Sequence, residues 1–236
     1  MSLISSHLTA LEASNWINGQ RSTKGARKNS INPATYDVIG HYPDDGLVAA
    51  QQAVVAAKAA FRESAWAHDN ELRSIVLEQL AQAFERNRER LLEVLALENG
   101  KVKGEAAFEI DMVPSKLRYA SANARLEGGR VVTPKPGSIS MILKQPMGVA
   151  AVIAPWNSPV VLTIRSLAPA LAAGCTTVIK LPSQVAQTAS LMAEIMAESK
   201  DLPKGVINLF FESGPEGSSY LVETPDVQAV SFTGST

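Results

Sequence analysis

The 236-residue sequence lacks three features that mark whole classes of protein. It contains one cysteine, Cys175, which excludes an internal disulfide and is typical of the reducing cytoplasm. Basic and acidic residues nearly balance, at 22 and 23, so the charge does not indicate a surface for nucleic acid or an acidic membrane. No apolar run approaches the ~20 residues of a membrane-spanning helix, and residues 1–11 do not resemble a secretory signal. We therefore expect a soluble cytoplasmic protein without nucleic-acid or membrane partners.

Two common nucleotide-binding motifs are also absent. The sequence contains neither G-x-G-x-x-G nor G-x-x-x-x-G-K-[ST]. The three histidines, His7, His41 and His68, do not have the spacing of metal ligands or of a catalytic triad. We therefore expect no metal site, and these motifs alone leave the ligand unknown.

The pattern of apolar residues predicts an α/β fold. Asn18-Gly19 is typical of a hairpin turn. Asp44 or Asp45 is expected to cap a first helix whose apolar residues are Val48, Val54, Val55, Ala59 and Phe61. Three further helical patterns follow, the last bent by Pro114. After that, strands and helices alternate, with predicted segments at 149–153, 160–171, 176–180, 187–198, 206–210, 218–222 and 228–232. Such alternation predicts a parallel sheet covered by helices on both faces.

The segment from Val152 to Pro159 is the most informative local pattern. β-branched and alanine residues predict a buried strand that ends at Pro155, and a helical pattern begins after Pro159. Asn157 therefore lies at the carboxyl end of a strand, where open α/β sheets bind ligands. A side-chain amide fixed there can donate to a developing oxyanion. Alternatively, Asn157 caps the helix and Trp156 packs against a loop.

Six segments together resemble the aldehyde dehydrogenase superfamily. They are Asn15–Gly19, Asn32–Thr35, Gln145–Val149, Ala154–Asn157, Leu167–Gly174 and Phe232–Thr236. Their order and spacing are similar to the family's along nearly the whole chain. The resemblance implies a Rossmann-like open parallel sheet with flanking helices, an N-terminal helical layer and a small β ribbon, truncated relative to the family.

The resemblance implies roles for residues of the central turn. Ile153, Ala154, Pro155 and Trp156 would line the nicotinamide-side phosphates and ribose of the cofactor. Asn157 would be the catalytic residue of this chain, because its amide would donate to the thiohemiacetal oxyanion.

Further cofactor contacts are implied at later strand ends. Lys180 would reach the adenine-side ribose, although a lone lysine there is otherwise a solvated surface charge. Gly214-Pro215 would flank the adenine, unless Gly214 is an ordinary loop glycine. Phe232 and the turn Gly234-Ser235 would approach the pyrophosphate, where amides at a helix start favour phosphate.

Ser183 departs from the family pattern. Most members have a glutamate at this position, which holds the ribose 2′-hydroxyl. A carboxylate repels a 2′-phosphate, whereas a hydroxyl can donate to it. We therefore expect NAD or NADP as the cofactor, with NADP tolerated.

The resemblance also divides the chain. Residues 1–127 and 147–236 would form an incomplete cofactor-binding domain, and residues 128–146 an oligomerisation ribbon. The ribbon edges would be exposed in a monomer, so we expect a homodimer or homotetramer. The catalytic domain, with the nucleophilic cysteine and the general-base glutamate, would be absent. Cys175 lies at a helix-to-strand junction and is expected to be structural.

These expectations lead to one preferred function. The parent protein would oxidise a small-molecule aldehyde to a carboxylic acid with NAD or NADP, and this chain alone would be inactive. A non-catalytic dinucleotide-binding or assembly module is an alternative, as is a reductase of acyl phosphates or acyl-CoA. The resemblance places the aldehyde funnel near 114–119 and 158–165, together with loops beyond residue 236. Ser158 and Arg165 would bear on substrate choice, but the sequence does not identify the aldehyde.

Overall fold

The computed structural model describes residues 11–126 and 128–235. The helices are α1 (Gly46–Glu63), α2 (Asn70–Arg86), α3 (Arg88–Asn99), α4 (Lys103–Ala124), α5 (Pro159–Ala172), α6 (Ala186–Ala197) and α7 (Glu216–Glu223). The strands are β1 (Leu11–Glu12), β2 (Asn15–Ile17), β3 (Gln20–Ser22), β4 (Ala26–Ile31), β5 (Val38–Asp44), β6 (Gly129–Val132), β7 (Ser140–Leu143), β8 (Val149–Ile153), β9 (Thr176–Pro182), β10 (Ile207–Glu212) and β11 (Ala229–Phe232). Short 3₁₀ turns cover Ala65–Ala67 and Ser183–Val185.

A six-stranded sheet lies at the centre of the fold, in the order β11-β8-β9-β10-β2-β3. The strands β8, β9, β10 and β11 are parallel, as predicted, because a helix follows each of the first three and returns the chain to the same edge. The strands β2 and β3 extend the sheet as an antiparallel hairpin. Its turn residues Asn18 and Gly19 have φ angles of 52° and 72°, which confirms the predicted turn.

Helices cover both faces of this sheet. Successive side chains of a strand point to opposite faces, so Val152 and Ile179 pack with α2 to α6, whereas Ala151 and Val178 pack with α1 and α7. All four residues are buried. The parallel strands are therefore apolar on both faces, which leaves their ends as the polar part of the sheet.

The buried face of α1 differs from the prediction. Val48 and Val55 are exposed, whereas Val54 is fully buried, as predicted, together with Ala53 and Ala57. The hydroxyl of Thr176 donates to the carbonyl of Ala57 at 2.9 Å. The helix backbone therefore lies directly against the sheet, and only small side chains fit between them.

The predicted cap of α1 is confirmed in its position but not in its hydrogen bond. Asp45 occupies the N-cap position, but its side chain makes no capping hydrogen bond. Asp44 instead accepts from the backbone N–H of Ser213 at 3.1 Å and pairs with Lys28 at 2.5 Å. Its carboxylate thus connects the start of α1 to the loop that follows β10.

The strands β6 and β7 form a separate antiparallel ribbon. Its apolar side chains are largely uncovered, with Val131, Met141 and Leu143 each about two-thirds exposed or more. Apolar surface of this kind is typical of an association site. A third sheet, in the order β1-β5-β4, flanks the N-terminal part of the fold.

Candidate functional site

Four parallel strand ends meet at one edge of the central sheet. In the strand register Ile153 lies opposite both Lys180 and Phe232, and Lys180 lies opposite Phe210. Residues from three of the predicted cofactor segments are therefore brought together. Ligands of open α/β sheets bind at this edge.

The turn after β8 continues along the neighbouring strands before it leaves the sheet. The N–H of Ala154 donates to the carbonyl of Lys180 at 3.1 Å, and the N–H of Thr233 donates to the carbonyl of Ile153 at 3.0 Å. Beyond Ala154 the chain leaves the sheet at Pro155. The following residues are then free to project from the edge.

A group that we call the turn clamp, Asn99, Lys101 and Glu109, holds this projecting turn. The side-chain amide of Asn99 donates to the carbonyl of Trp156 at 2.6 Å. The ammonium of Lys101 donates to the carbonyl of Asn157 at 2.7 Å. The backbone of the turn is therefore fixed by side chains from the end of α3 and from the loop between α3 and α4.

Glu109 caps α5 from outside the helix. Its Oε1 accepts from the N–H groups of Val160 and Val161 at 2.7 and 3.2 Å. Its Oε2 pairs with Lys101 at 2.5 Å, and the Glu109 side chain is only 4% exposed. Negative charge at a helix N-terminus is favourable, so Glu109 supplies the cap that the turn itself does not.

Asn157 does not cap the helix. The N-cap residue of α5 is Ser158, which makes no side-chain capping bond, and Glu109 takes the first free N–H groups. Asn157 is exposed, and its side-chain amide has no hydrogen-bond partner among residues 11–126 and 128–235. Its backbone is held by Lys101, and its side-chain amide is available to a ligand.

Asn157 borders a small cleft between α4 and α5. The cleft has a volume of about 490 Å³, and its lining includes Phe108, Met112, Ser158 and Val161. The larger cleft, about 1560 Å³, contains Tyr119 and Arg165 but not Asn157. The residues of the predicted aldehyde funnel therefore line two separate clefts. Phe108 and Met112 line the smaller cleft and were not predicted from the sequence.

Lys180 lies near the end of β9, and Ser183 follows three residues later, at the start of the 3₁₀ turn. Lys180 is mostly buried, with its ammonium 3.7 Å from Oε1 of Glu212 at the end of β10. Ser183 is half-buried, and no hydrogen bond of its hydroxyl occurs within the described ranges. Sequence reasoning missed Glu212, although a carboxylate that ends an apolar strand was a usable signal.

The loop after β10 contains the predicted glycines. Gly214 is half-buried, and Pro215 precedes α7 directly. Gly217, rather than Gly214, makes a close contact with Glu212. Its N–H donates to Oε2 of Glu212 at 2.7 Å. A Cβ atom on Gly217 would lie 2.7 Å from that same oxygen, so a side chain does not fit there.

The last segment predicted to contact the cofactor lies at the end of β11. Phe232 is 61% exposed, and Gly234 and Ser235 follow as exposed residues. Thr236 lies outside the described residues. This segment forms the open side of the strand-end edge.

The sequence profile of the aldehyde dehydrogenase family matches residues 17–236. The chain belongs to the aldehyde dehydrogenase family. It is 39% identical over 225 residues to geranial dehydrogenase from Castellaniella defragrans, covering 94% of this chain and 46% of that protein. It is 34% identical over 219 residues to chloroplastic betaine aldehyde dehydrogenase from Atriplex hortensis, covering 87% and 43%.

A solved structure of the aldehyde dehydrogenase family has the same fold. Betaine aldehyde dehydrogenase from Staphylococcus aureus, in complex with NAD+, matches with a TM-score of 0.90 and 30% identity. The match covers 95% of this chain and 45% of that structure. The chain thus spans about half the length of the aldehyde dehydrogenases that it matches.

Cys175 lies away from the strand-end edge of this aldehyde dehydrogenase chain. It precedes the first residue of β9, whereas Lys180 lies near the last, and seven strand residues span ~20 Å. Cys175 is only 5% exposed, and its carbonyl accepts from the indole N–H of Trp66 at 2.9 Å. These contacts agree with a structural role.

The described part of the chain contains no cluster of three or more His, Cys, Asp or Glu side chains that could hold a metal ion. His68 is exposed, His41 pairs with Asn29, and His7 lies outside the described residues. None of the helices within residues 11–126 and 128–235 is long and apolar enough to cross a membrane.

Proposed function

We propose that this chain is the cofactor-binding part of an enzyme that oxidises an aldehyde to a carboxylic acid with NAD as the hydride acceptor. The observation that carries the proposal is the position of Asn157. Its amide projects from the ligand-binding edge of the sheet, its backbone is held by Lys101, and it borders the cleft between α4 and α5. An amide donor on a backbone held in this way, beside such a cleft, is suited to an oxyanion.

The donor set at the strand ends fits a dinucleotide. Lys180 offers N–H donors and Ser183 a hydroxyl that both donates and accepts, which suits the hydroxyl groups of a ribose. Gly214, Pro215 and the exposed residues after β11 would flank the rest of the cofactor. Bound NAD would supply the hydride acceptor. The relatives in complex with NAD+ support this assignment.

The residues of this chain would orient the reactants and stabilise charge. Ile153, Ala154, Pro155 and Trp156 would form the wall against the nicotinamide side, because they continue from β8 along the open edge. Asn157 would donate to the substrate oxygen as that oxygen becomes negative during attack by a thiolate. The only thiol in the sequence, Cys175, is buried. The nucleophile would therefore come from outside this chain, and the family resemblance implies the same for the general base.

We also propose that the ribbon of β6 and β7 joins copies of the chain into a homo-oligomer. Its exposed apolar residues and its free strand edges support this assignment.

The role of Asn157 is tested in the enzyme that contains this chain. Asn157→Ala should slow acyl-enzyme formation by about a hundredfold, because one oxyanion donor is lost. NAD affinity should change little. Gln52→Ala, which removes an exposed amide on α1, is the control and should leave the rate unchanged. Equal rates for Asn157→Ala and the control would show that the oxyanion assignment is wrong.

The assignment of the chain itself is tested with purified protein. The 236-residue chain should bind NADH saturably in a nicotinamide fluorescence titration, yet produce no NADH from NAD and an aldehyde. Saturable NADH production would contradict the proposal that the catalytic nucleophile lies outside this chain. Absence of nucleotide binding would contradict the cofactor-binding role.

A further inference from the structure

A buried carboxylate lies beneath the candidate ribose contact. Glu212 ends β10, and its neighbour in the register is Pro182, two residues after Lys180 on β9. Its side chain is 1% exposed, and Oε1 lies 3.7 Å from the Lys180 ammonium, whose side chain is 13% exposed. A ligand at the strand ends therefore meets Lys180 at the surface with a negative charge directly behind it.

Three hydrogen bonds at the start of α7 fix the Glu212 carboxylate. Oε2 accepts from the N–H of Gly217 at 2.7 Å. Oε1 accepts from both the N–H and the hydroxyl of Ser218 at 2.9 Å. A Cβ atom on Gly46 would lie 2.8 Å from Oε2, so the helix start of α1 closes the other side. These contacts hold the carboxylate in place behind Lys180.

Other charged groups near this strand end add to the negative charge of Glu212. Lys28 is not available to a ligand phosphate, because it pairs with Asp44 at 2.5 Å. The hydrogen bond to Asp44 raises the pKa of Lys28, and the nearby Glu216 contributes to the rise. Two ammonium groups therefore share this end of the sheet with three carboxylates. The local charge is net negative rather than positive.

The two possible nucleotides respond differently to this arrangement. A ribose 2′-hydroxyl needs only a hydrogen-bond partner, which the Lys180 ammonium supplies even when Glu212 neutralises its charge. A 2′-phosphate carries a charge of about −1.5 to −2 at pH 7. It gains little from a neutralised lysine and is repelled by the carboxylates behind it.

Resting on the proposed cofactor role, we propose that Glu212 determines cofactor specificity and makes the groove select NAD over NADP. Glu212 would supply, from the neighbouring strand, the negative charge that Ser183 lacks. This revises the expectation of NADP tolerance, which considered Lys180 and Ser183 alone. Without the carboxylate, the Lys180 ammonium and the N–H groups of Gly217 and Ser218 would together suit an anion.

The test measures NADH and NADPH binding to the 236-residue chain by fluorescence titration, with calorimetric titration of 5′-AMP and 2′,5′-ADP as a second probe pair. Wild type should bind NADH at least about thirtyfold more tightly than NADPH. Glu212→Gln should reduce the ratio of the NADPH to the NADH dissociation constant about tenfold, mainly because NADPH binds more tightly. Glu223→Gln, which removes an exposed carboxylate at the far end of α7, is the matched control and should leave the ratio unchanged.

The outcomes distinguish a failure of the proposed Glu212 role from a failure of the proposed cofactor-binding role. A wild type that binds both nucleotides equally, or a ratio that Glu212→Gln leaves unchanged, overturns the role of Glu212 but not the cofactor role. No binding of any nucleotide overturns both. If Glu212→Gln does not fold, the wild-type ratios with both probe pairs still test the expected preference.

Discussion

Replacing Glu109 by alanine should destabilise the chain more than any surface substitution on the same helix. Its carboxylate accepts from two N–H groups at the start of α5 and pairs with Lys101, which in turn holds the carbonyl of Asn157. The alanine variant leaves the Lys101 side chain, only 10% exposed, without its counter-charge. It also leaves two helix N–H groups without an acceptor.

The size of the effect follows from the burial of the pair. Breaking a buried ion pair by removing one partner costs about 3–5 kcal/mol in free energy of unfolding. For a chain of this size, that corresponds to a decrease in Tm of roughly 6–20 °C. Glu109→Gln should cost less, because its amide oxygen still accepts from Val160 and Val161. The double variant Lys101→Met with Glu109→Gln should be more stable than Glu109→Ala, since no unpaired charge stays buried.

The measurement is urea denaturation followed by circular dichroism, with Tm from calorimetry. Asp111→Ala is the matched control, because Asp111 lies on the same helix and forms an exposed pair with Arg88. An exposed pair contributes about 0–1 kcal/mol. If Glu109→Ala is no less stable than Asp111→Ala, the turn clamp does not stabilise the turn that holds Asn157.

Three further predictions concern other parts of the chain. Burial raises the pKa of Glu98 from 4.5 to about 7, so the folded chain keeps a proton that the unfolded chain releases, and stability should fall as the pH rises through that range. Glu98→Gln should flatten this part of the urea-midpoint profile, and parallel profiles for both proteins would contradict the assignment. Leu143→Glu, which places a charge on the exposed ribbon, should shift the sedimentation profile toward monomer, whereas an unchanged profile would exclude the ribbon as the contact. Cys175→Ala should leave NADH binding unchanged, and a loss of binding in a variant with wild-type Tm would contradict its structural role.

The order of the elements was readable from the sequence. The alternation after Val149 predicted the parallel strands, because strand and helix periods differ and each crossover needs a helix. The run that ends at Pro155 placed Asn157 at the ligand-binding edge. Asn18-Gly19 marked a hairpin, since both residues adopt positive φ angles.

The sequence alone did not reveal which side chains surround those positions. Glu109 reaches the start of α5 from 51 residues away, which removed the need for Asn157 to act as a cap. The pairing of Lys180 with Glu212 depends on the register of two neighbouring strands, so the charge next to the candidate ribose contact was not apparent from Ser183. Local patterns follow from the periodicity and turn preferences of adjacent residues. Contacts between distant residues are set by strand register and helix packing, and therefore the tertiary structure decided the electrostatics of the site.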